Sequence, residues 1–256
     1  MELGLRGKVV MVTGGSRGIG KAIALGYAEE GCRLSICGRG LTALEEVAET
    51  IKAYGVELLT VSADLTDPHG AERFVQATLD RYGQIDVLVN NVGGSRRGEL
   101  EALSEEDWRE VYDLNFFSTL RMVRLVVPVM KRQGGGRIIN IASIWGRESG
   151  GAMTYNASKA AVISLSKSLA REVAPHNILV NSVAPGSTLF PGGSWDKRQR
   201  ENPSQIGQFI KDELPLGRFG RPEEVAAVVV FLASQKASLV TGACVTVDGC
   251  QSRSLI

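Results

Sequence analysis

Histidine is almost missing from this chain. His69 and His176 are its two, well separated in sequence and distant from every cysteine. That scarcity argues against a zinc site or a serine–histidine–aspartate triad, so no metal is expected. Cys32, Cys37, Cys244 and Cys250 form no C-x-x-C pair; they read as reduced thiols, mostly buried, in a reducing compartment. A surplus of one charge is also missing, with 29 Lys and Arg against 28 Asp and Glu. Interspersed charges of this kind argue against a nucleic-acid surface or a polybasic membrane surface. The basic runs Arg96-Arg97 and Lys197-Arg198-Gln199-Arg200 are short and read as solvated loop ends. The longest helical apolar run, Val225 to Ala233, is too short to span a bilayer. The first residues have no secretory layout. The expectation is a soluble, cytoplasmic protein.

What the chain does have is rhythm. Short apolar runs at 8–13, 33–37, 57–62, 85–90, 136–142, 178–184 and 244–247 read as strands. Most are rich in Val, Ile and Leu on both faces, as buried parallel strands should be. Helical patterns lie between them, at about 18–30, 41–54, 69–82, 105–132, 152–174 and 222–233. The alternation predicts a seven-stranded α/β doubly wound Rossmann-type sheet with helices on both faces, in one domain spanning 1–256. The stretch at about 186–220 breaks the rhythm. It is long, rich in Gly and Pro, and carries Phe190, Trp195 and Phe209. It reads as a substrate lid with one short helix near 204–212.

The first strand runs into Thr13-Gly14-Gly15-Ser16-Arg17-Gly18-Ile19-Gly20 and then a helix. Glycines allow a tight turn and close backbone approach, and the helix N-terminus offers N–H groups to a phosphate. The turn is neither G-x-G-x-x-G nor a hydrolase phosphate loop, because Ala22 follows Lys21 where a magnesium-binding hydroxyl would stand. The second strand ends at Gly38-Arg39, where an acid would suit NAD. Arg39 and Arg17 suit a 2′-phosphate instead, so NADP(H) is expected over NAD(H); two exposed surface arginines are the bland alternative.

Tyr155 and Lys159 stand four residues apart, one turn of a helix. An ammonium beside a phenol is expected to draw its pKa down from about 10 toward neutrality. Such a phenol exchanges protons with a carbonyl or alcohol oxygen.

With these motifs the chain resembles the short-chain dehydrogenase/reductase family over essentially its whole length. Asp64-Leu65 matches the family's adenine contact, and Asn90-Asn91-Val92-Gly93 its Asn-Asn-Ala-Gly motif with Val92 for Ala. Asn115 matches its helix asparagine, and Ser143 stands twelve residues before Tyr155. Pro185-Gly186 follows the sixth strand, with Thr188 beyond; Val247-Asp248-Gly249 is followed by Cys250 where the family has glycine. That departure puts in doubt the subunit contact the family builds there.

The resemblance implies hydride transfer between nicotinamide and a carbonyl. Tyr155 would act as general acid/base, Lys159 would lower its pKa, Ser143 would hold the substrate oxygen, and Asn115 would support a water chain. Gly14, Ser16, Gly18, Ile19, Gly20, Asn91, Gly93, Pro185, Gly186 and Thr188 would contact the cofactor. The residues expected to wall the substrate pocket are Gly94, Ser95, Trp145, Met153, Leu189, Phe190 and Trp195. The pattern is most similar to the 3-oxoacyl-(acyl-carrier-protein) reductase-like branch, whose members reduce many ketones. The substrate would be a small carbonyl compound or alcohol, or an acyl-carrier-protein or CoA thioester. The alternatives are an oxidative alcohol, sugar or steroid dehydrogenase of the same family, and a silent NADP(H)-binding regulatory protein. The family also implies a homotetramer.

Overall fold

The computed structural model describes residues 2–255. Seven strands, β1 (Val9–Thr13), β2 (Arg33–Gly38), β3 (Leu58–Ser62), β4 (Val87–Asn90), β5 (Gly136–Ile141), β6 (Ile178–Pro185) and β7 (Cys244–Val247), form one sheet. All pairings are parallel, in the order β3-β2-β1-β4-β5-β6-β7. Every residue of β1, β4 and β6 is buried, which parallel strands achieve only with helices on both faces.

One apolar layer packs α1 (Gly18–Glu29), α2 (Leu41–Lys52) and α9 (Pro222–Ala233) on the sheet; Tyr27, Val47 and Val229 are buried there. The other layer holds α3 (Pro68–Tyr82), α5 (Ser118–Gln133) and α6 (Met153–Val173), through Phe74, Met122 and Leu169. Chain direction across the sheet reverses between β1 and β4. A crevice opens there beyond the carboxyl ends of the strands, the place where such sheets bind ligands.

Two features depart from the sequence pattern. The spacing predicts one helix over 105–132. Instead α4 (Glu105–Tyr112) and α5 are joined by a π-turn at Asp113–Phe117. A π-turn has no breaker residue to betray it, and it is frequent at functional sites. This one buries Asn115 completely.

The segment between β6 and α9 contains two helices rather than one, α7 (Ser194–Glu201) and α8 (Pro203–Glu213). The run Lys197–Arg200 therefore lies on a helix, with Lys197 paired to Glu201 and Arg200 to Asp196. The segment has an apolar centre of its own. Trp195 stacks on Phe209 at 4.6 Å and lies 5.1 Å from Phe219, beside buried Ile206 and Leu214. Its two ends are joined: Leu189 N donates to Gly220 O, and Gly220 N to Ser187 O, each at 2.9 Å.

All four cysteines are free; Cys32 and Cys37 are buried, Cys244 half-buried and Cys250 exposed. Among the described residues no helix is long and apolar enough to cross a membrane, and no cluster of metal ligands occurs.

Candidate active site

The glycine turn is held from two sides. Gly14 takes a positive φ of 64°, and a Cβ on Gly20 would overlap the Gly14 carbonyl oxygen. Asn91 locks the turn from just beyond β4. Its amide nitrogen donates to the carbonyls of Thr13 and Gly14, both at 3.1 Å, and its backbone N–H donates to Thr13 Oγ1 at 2.9 Å. No side chain caps α1, so the N–H groups of its first turn stay open to a ligand. Gly38 faces Ser16 closely: a Cβ there would lie 3.0 Å from Ser16 Oγ. Burial pushes the Asp64 carboxyl up, but two hydrogen bonds from Thr66 and the nearby charge of Arg39 outweigh it, and the group sits below its usual range.

Ser143 leaves the end of β5 in extended conformation and accepts from Trp145 N at 3.1 Å. Tyr155 and Lys159 project from α6. Lys159 is buried, 3% exposed, and its ammonium donates to Ile141 O at 2.7 Å. Burial lowers its pKa to about 8.

The phenol does not follow the sequence expectation. Burial raises the Tyr155 pKa, and a hydrogen bond with Ser143 offsets only part of that rise. Lys159 fails to reverse it because its nitrogen is held by a β5 carbonyl and lies over the Tyr155 ring, 5.7 Å from the centroid.

Asn115 sits behind this group with its amide fully used. It accepts from Gly94 N at 2.8 Å and donates to Gly94 O at 2.9 Å and to Ser158 Oγ at 2.8 Å. Its side chain pins the loop after β4 to α6.

These elements enclose a cleft of about 830 Å³. Gly14, Ser16, Arg17, Ile19, Arg39, Asp64 and Leu65 line one set of its walls. Asn91, Gly93, Gly94, Ser95, Ser143, Trp145, Tyr155 and Lys159 line another, and Pro185, Gly186, Thr188, Phe190 and Trp195 close it from the β6–α9 segment. Gly18 and Gly20 support the turn without lining the cleft; a Cβ on Gly18 would strike the Phe190 ring. Two expected pocket residues lie elsewhere. Met153 is 40% exposed at the start of α6, and Leu189 packs into the apolar centre of the β6–α9 segment. Sequence reasoning missed Arg97 and Ser187 as lining residues. Arg97 was hidden inside a short basic run, and Ser187 owes its place to a partner, Gln251, far along the chain.

The family model for short chain dehydrogenase matches residues 8–201. The chain belongs to the short-chain dehydrogenase/reductase family. Its relatives there include the 3-oxoacyl-(acyl-carrier-protein) reductase of Thermotoga maritima, 38% identical over 96% of this chain and 98% of that protein. The rhamnolipids biosynthesis 3-oxoacyl-(acyl-carrier-protein) reductase of Pseudomonas aeruginosa is 38% identical over 96% of each. The protein is thus an oxidoreductase of the reductase-like branch of the short-chain dehydrogenase/reductases. L-sorbose reductase from Gluconobacter frateurii, solved with NADPH and L-sorbose, superimposes with a TM-score of 0.94 at 34% identity, covering 100% of both chains. A 7α-hydroxysteroid dehydrogenase solved with NADH and 7-oxo glycochenodeoxycholic acid gives 0.91 at 31% identity, covering 100% of this chain and 98% of that one.

Proposed function

We propose that this protein is an NADP(H)-dependent ketoreductase acting on a ketone or 3-oxoacyl thioester, with Tyr155 as general acid. The observation that carries the reading is the meeting of Ser143, Tyr155 and Lys159 in one cleft with the glycine turn and Arg17 and Arg39.

The residues present fit a dinucleotide. The cradle at Gly14 and Gly20 leaves no room for side chains, and the first turn of α1 has open donors. Ser16 and Ile19 would hold the pyrophosphate on a turn shaped by Gly18 and Gly20, Arg17 and Arg39 the 2′-phosphate, and Asp64 and Leu65 the adenine. Asn91, Gly93, Lys159, Pro185, Gly186 and Thr188 would hold the nicotinamide half. When bound, the cofactor supplies the hydride. Tyr155 passes its proton to the substrate oxygen, and the Ser143 hydroxyl holds that oxygen and stabilises charge developing on it. Lys159, titrating at about 8, is suited to return a proton to Tyr155 near neutral pH. Asn115 fixes Gly94 at the edge of the cleft. The segment at about 186–220 serves as the lid, with Gly94, Ser95, Trp145, Phe190 and Trp195 as the substrate wall. A homotetramer is part of the same proposal. Light scattering tests it.

Tyr155→Phe is expected to lower kcat by about a thousandfold while leaving NADPH binding, read by fluorescence, nearly intact. Wild-type initial rates with NADPH and NADH over 3-oxoacyl thioesters, simple ketones, hydroxysteroids and sugars test the rest. Faster oxidation of a steroid or sugar would favour the dehydrogenase reading. NADPH binding with no rate on any substrate would favour a regulatory protein.

A further inference from the structure

Two guanidiniums, one lining the cleft and one resting on its Trp195 wall, lack the partners their neighbours have. Arg96 is bound by Asp107 at 2.7 Å and Glu110 at 2.9 Å. Arg97, the next residue, lines the cleft and has no ion pair or hydrogen bond among the described residues. On α7, Lys197 and Arg200 are paired with Glu201 and Asp196. Arg198 stands between them in sequence. Its guanidinium sits 4.3 Å over the ring of Trp195, a cleft-lining residue, and it too has no carboxylate partner. Arg198 is half-buried. Burial lowers its pKa first, and the like charge of Arg97 adds to the effect, so the two groups lie within electrostatic reach across the gap between loop and lid. Among the described residues Asp64 is the one carboxylate lining the cleft, and one of its oxygens already accepts two hydrogen bonds from Thr66.

Two like charges, one of them partly desolvated, are stabilised when an anion stands between them. We propose that Arg97 and Arg198 form a two-sided anion clamp, so that the carbonyl substrate carries a carboxylate or a phosphate away from its reacting carbon. The clamp rests on the ketoreductase reading for its substrate, and it adds a specificity that Ser143, Tyr155 and Lys159 do not supply. A planar guanidinium on each lip suits either oxyanion, because both accept paired N–H donors. The Trp195 ring beneath Arg198 restrains the guanidinium, which reduces the freedom lost when the anion arrives.

Two pairs of ketones, each an anionic compound and its neutral counterpart, separate the sources of the anion. One pair is the 3-oxobutanoyl thioester of 4′-phosphopantetheine and that of pantetheine. The other is 4-oxopentanoate and its methyl ester. With the NADPH holoenzyme at low salt, the anionic member of at least one pair is expected to have about tenfold higher kcat/KM. The first pair responding places the anion on a carrier arm; the second places it on the acyl portion. The ratio is expected to fall toward one in the double variant Arg97→Gln/Arg198→Gln. Arg97→Gln alone, which leaves the Trp195 contact in place, is expected to lose about threefold of it. A ratio near one in both wild-type pairs, or one that the variants leave unmoved, overturns the clamp. If no ketone turns over, the ketoreductase reading fails, and calorimetry of the same pairs on the holoenzyme decides the clamp alone: equal affinity for charged and neutral members overturns it.

Discussion

Gln251 meets Ser187 with both ends of its amide. Its Oε1 accepts the Ser187 backbone N–H at 2.7 Å, and its Nε2 donates to the Ser187 hydroxyl at 3.0 Å. Gln251 is only 5% exposed, so the chain beyond β7 fastens the base of the β6–α9 segment. Gln251→Ala strands a buried N–H, at a cost of about 1–3 kcal/mol. The expected outcome is a lower melting temperature, a raised KM and faster proteolysis within 189–219. An unchanged cleavage rate would show that Gln251 does not restrain that segment.

Lys159 makes stability depend on pH in a definite direction. Its pKa falls from 10.5 in the unfolded chain to about 8 in the folded one. Between those values the unfolded state binds more protons, so stability rises with pH across that window. At pH 7 the charged form bears the whole penalty, about 3 kcal/mol. Lys159→Met removes that penalty along with the bond to Ile141 O. Its advantage in urea midpoint over wild type is expected to be larger at pH 7 than at pH 10. A difference independent of pH would contradict the assignment.

Gly20 and Gly40 make a controlled pair. A Cβ on Gly20 would collide with the Gly14 carbonyl oxygen, and none of the heavy atoms around Gly40 comes within 4 Å of a Cβ placed there. Gly20→Ala is expected to abolish NADPH binding or folding. Gly40→Ala, where φ is −96°, is expected to change the melting temperature little. NADPH titration by fluorescence checks both.

Cys250 stands at φ 67°, in the left-handed region. A side chain there costs about 1 kcal/mol more than glycine. Cys250→Gly is therefore expected to raise the melting temperature slightly, with activity unchanged. A fall would mean that the thiol makes a contact outweighing the strain.

The sheet was legible because its strands are apolar on both faces: Val-Val-Met-Val-Thr in β1 admits little else. The glycine turn, Ser143 and the Tyr155/Lys159 spacing were legible because each is a local pattern on a recognisable element. The π-turn was not, since Asp-Leu-Asn-Phe-Phe carries no breaker and the extra residue in that turn follows from tertiary packing. The raised Tyr155 pKa was hidden for a related reason. Spacing sets the distance along α6, but the carbonyl that captures the Lys159 ammonium belongs to β5. Met153 and Leu189 were misplaced because proximity in sequence to a motif does not say which way a side chain turns.

The joined ends of the 189–219 segment have a consequence for how such a protein diversifies. Thr188 and Gly220 pair as a short parallel bridge, so the chain leaves and re-enters the sheet layer at one place. What lies beyond that neck packs around Trp195, Phe209 and Phe219 rather than around the main core. The segment is therefore a cassette: its length and side chains are open to replacement without disturbing the strands that hold Ser143 or the helix that holds Tyr155. In the proposed reading, substrate choice and proton transfer are thus free to change separately.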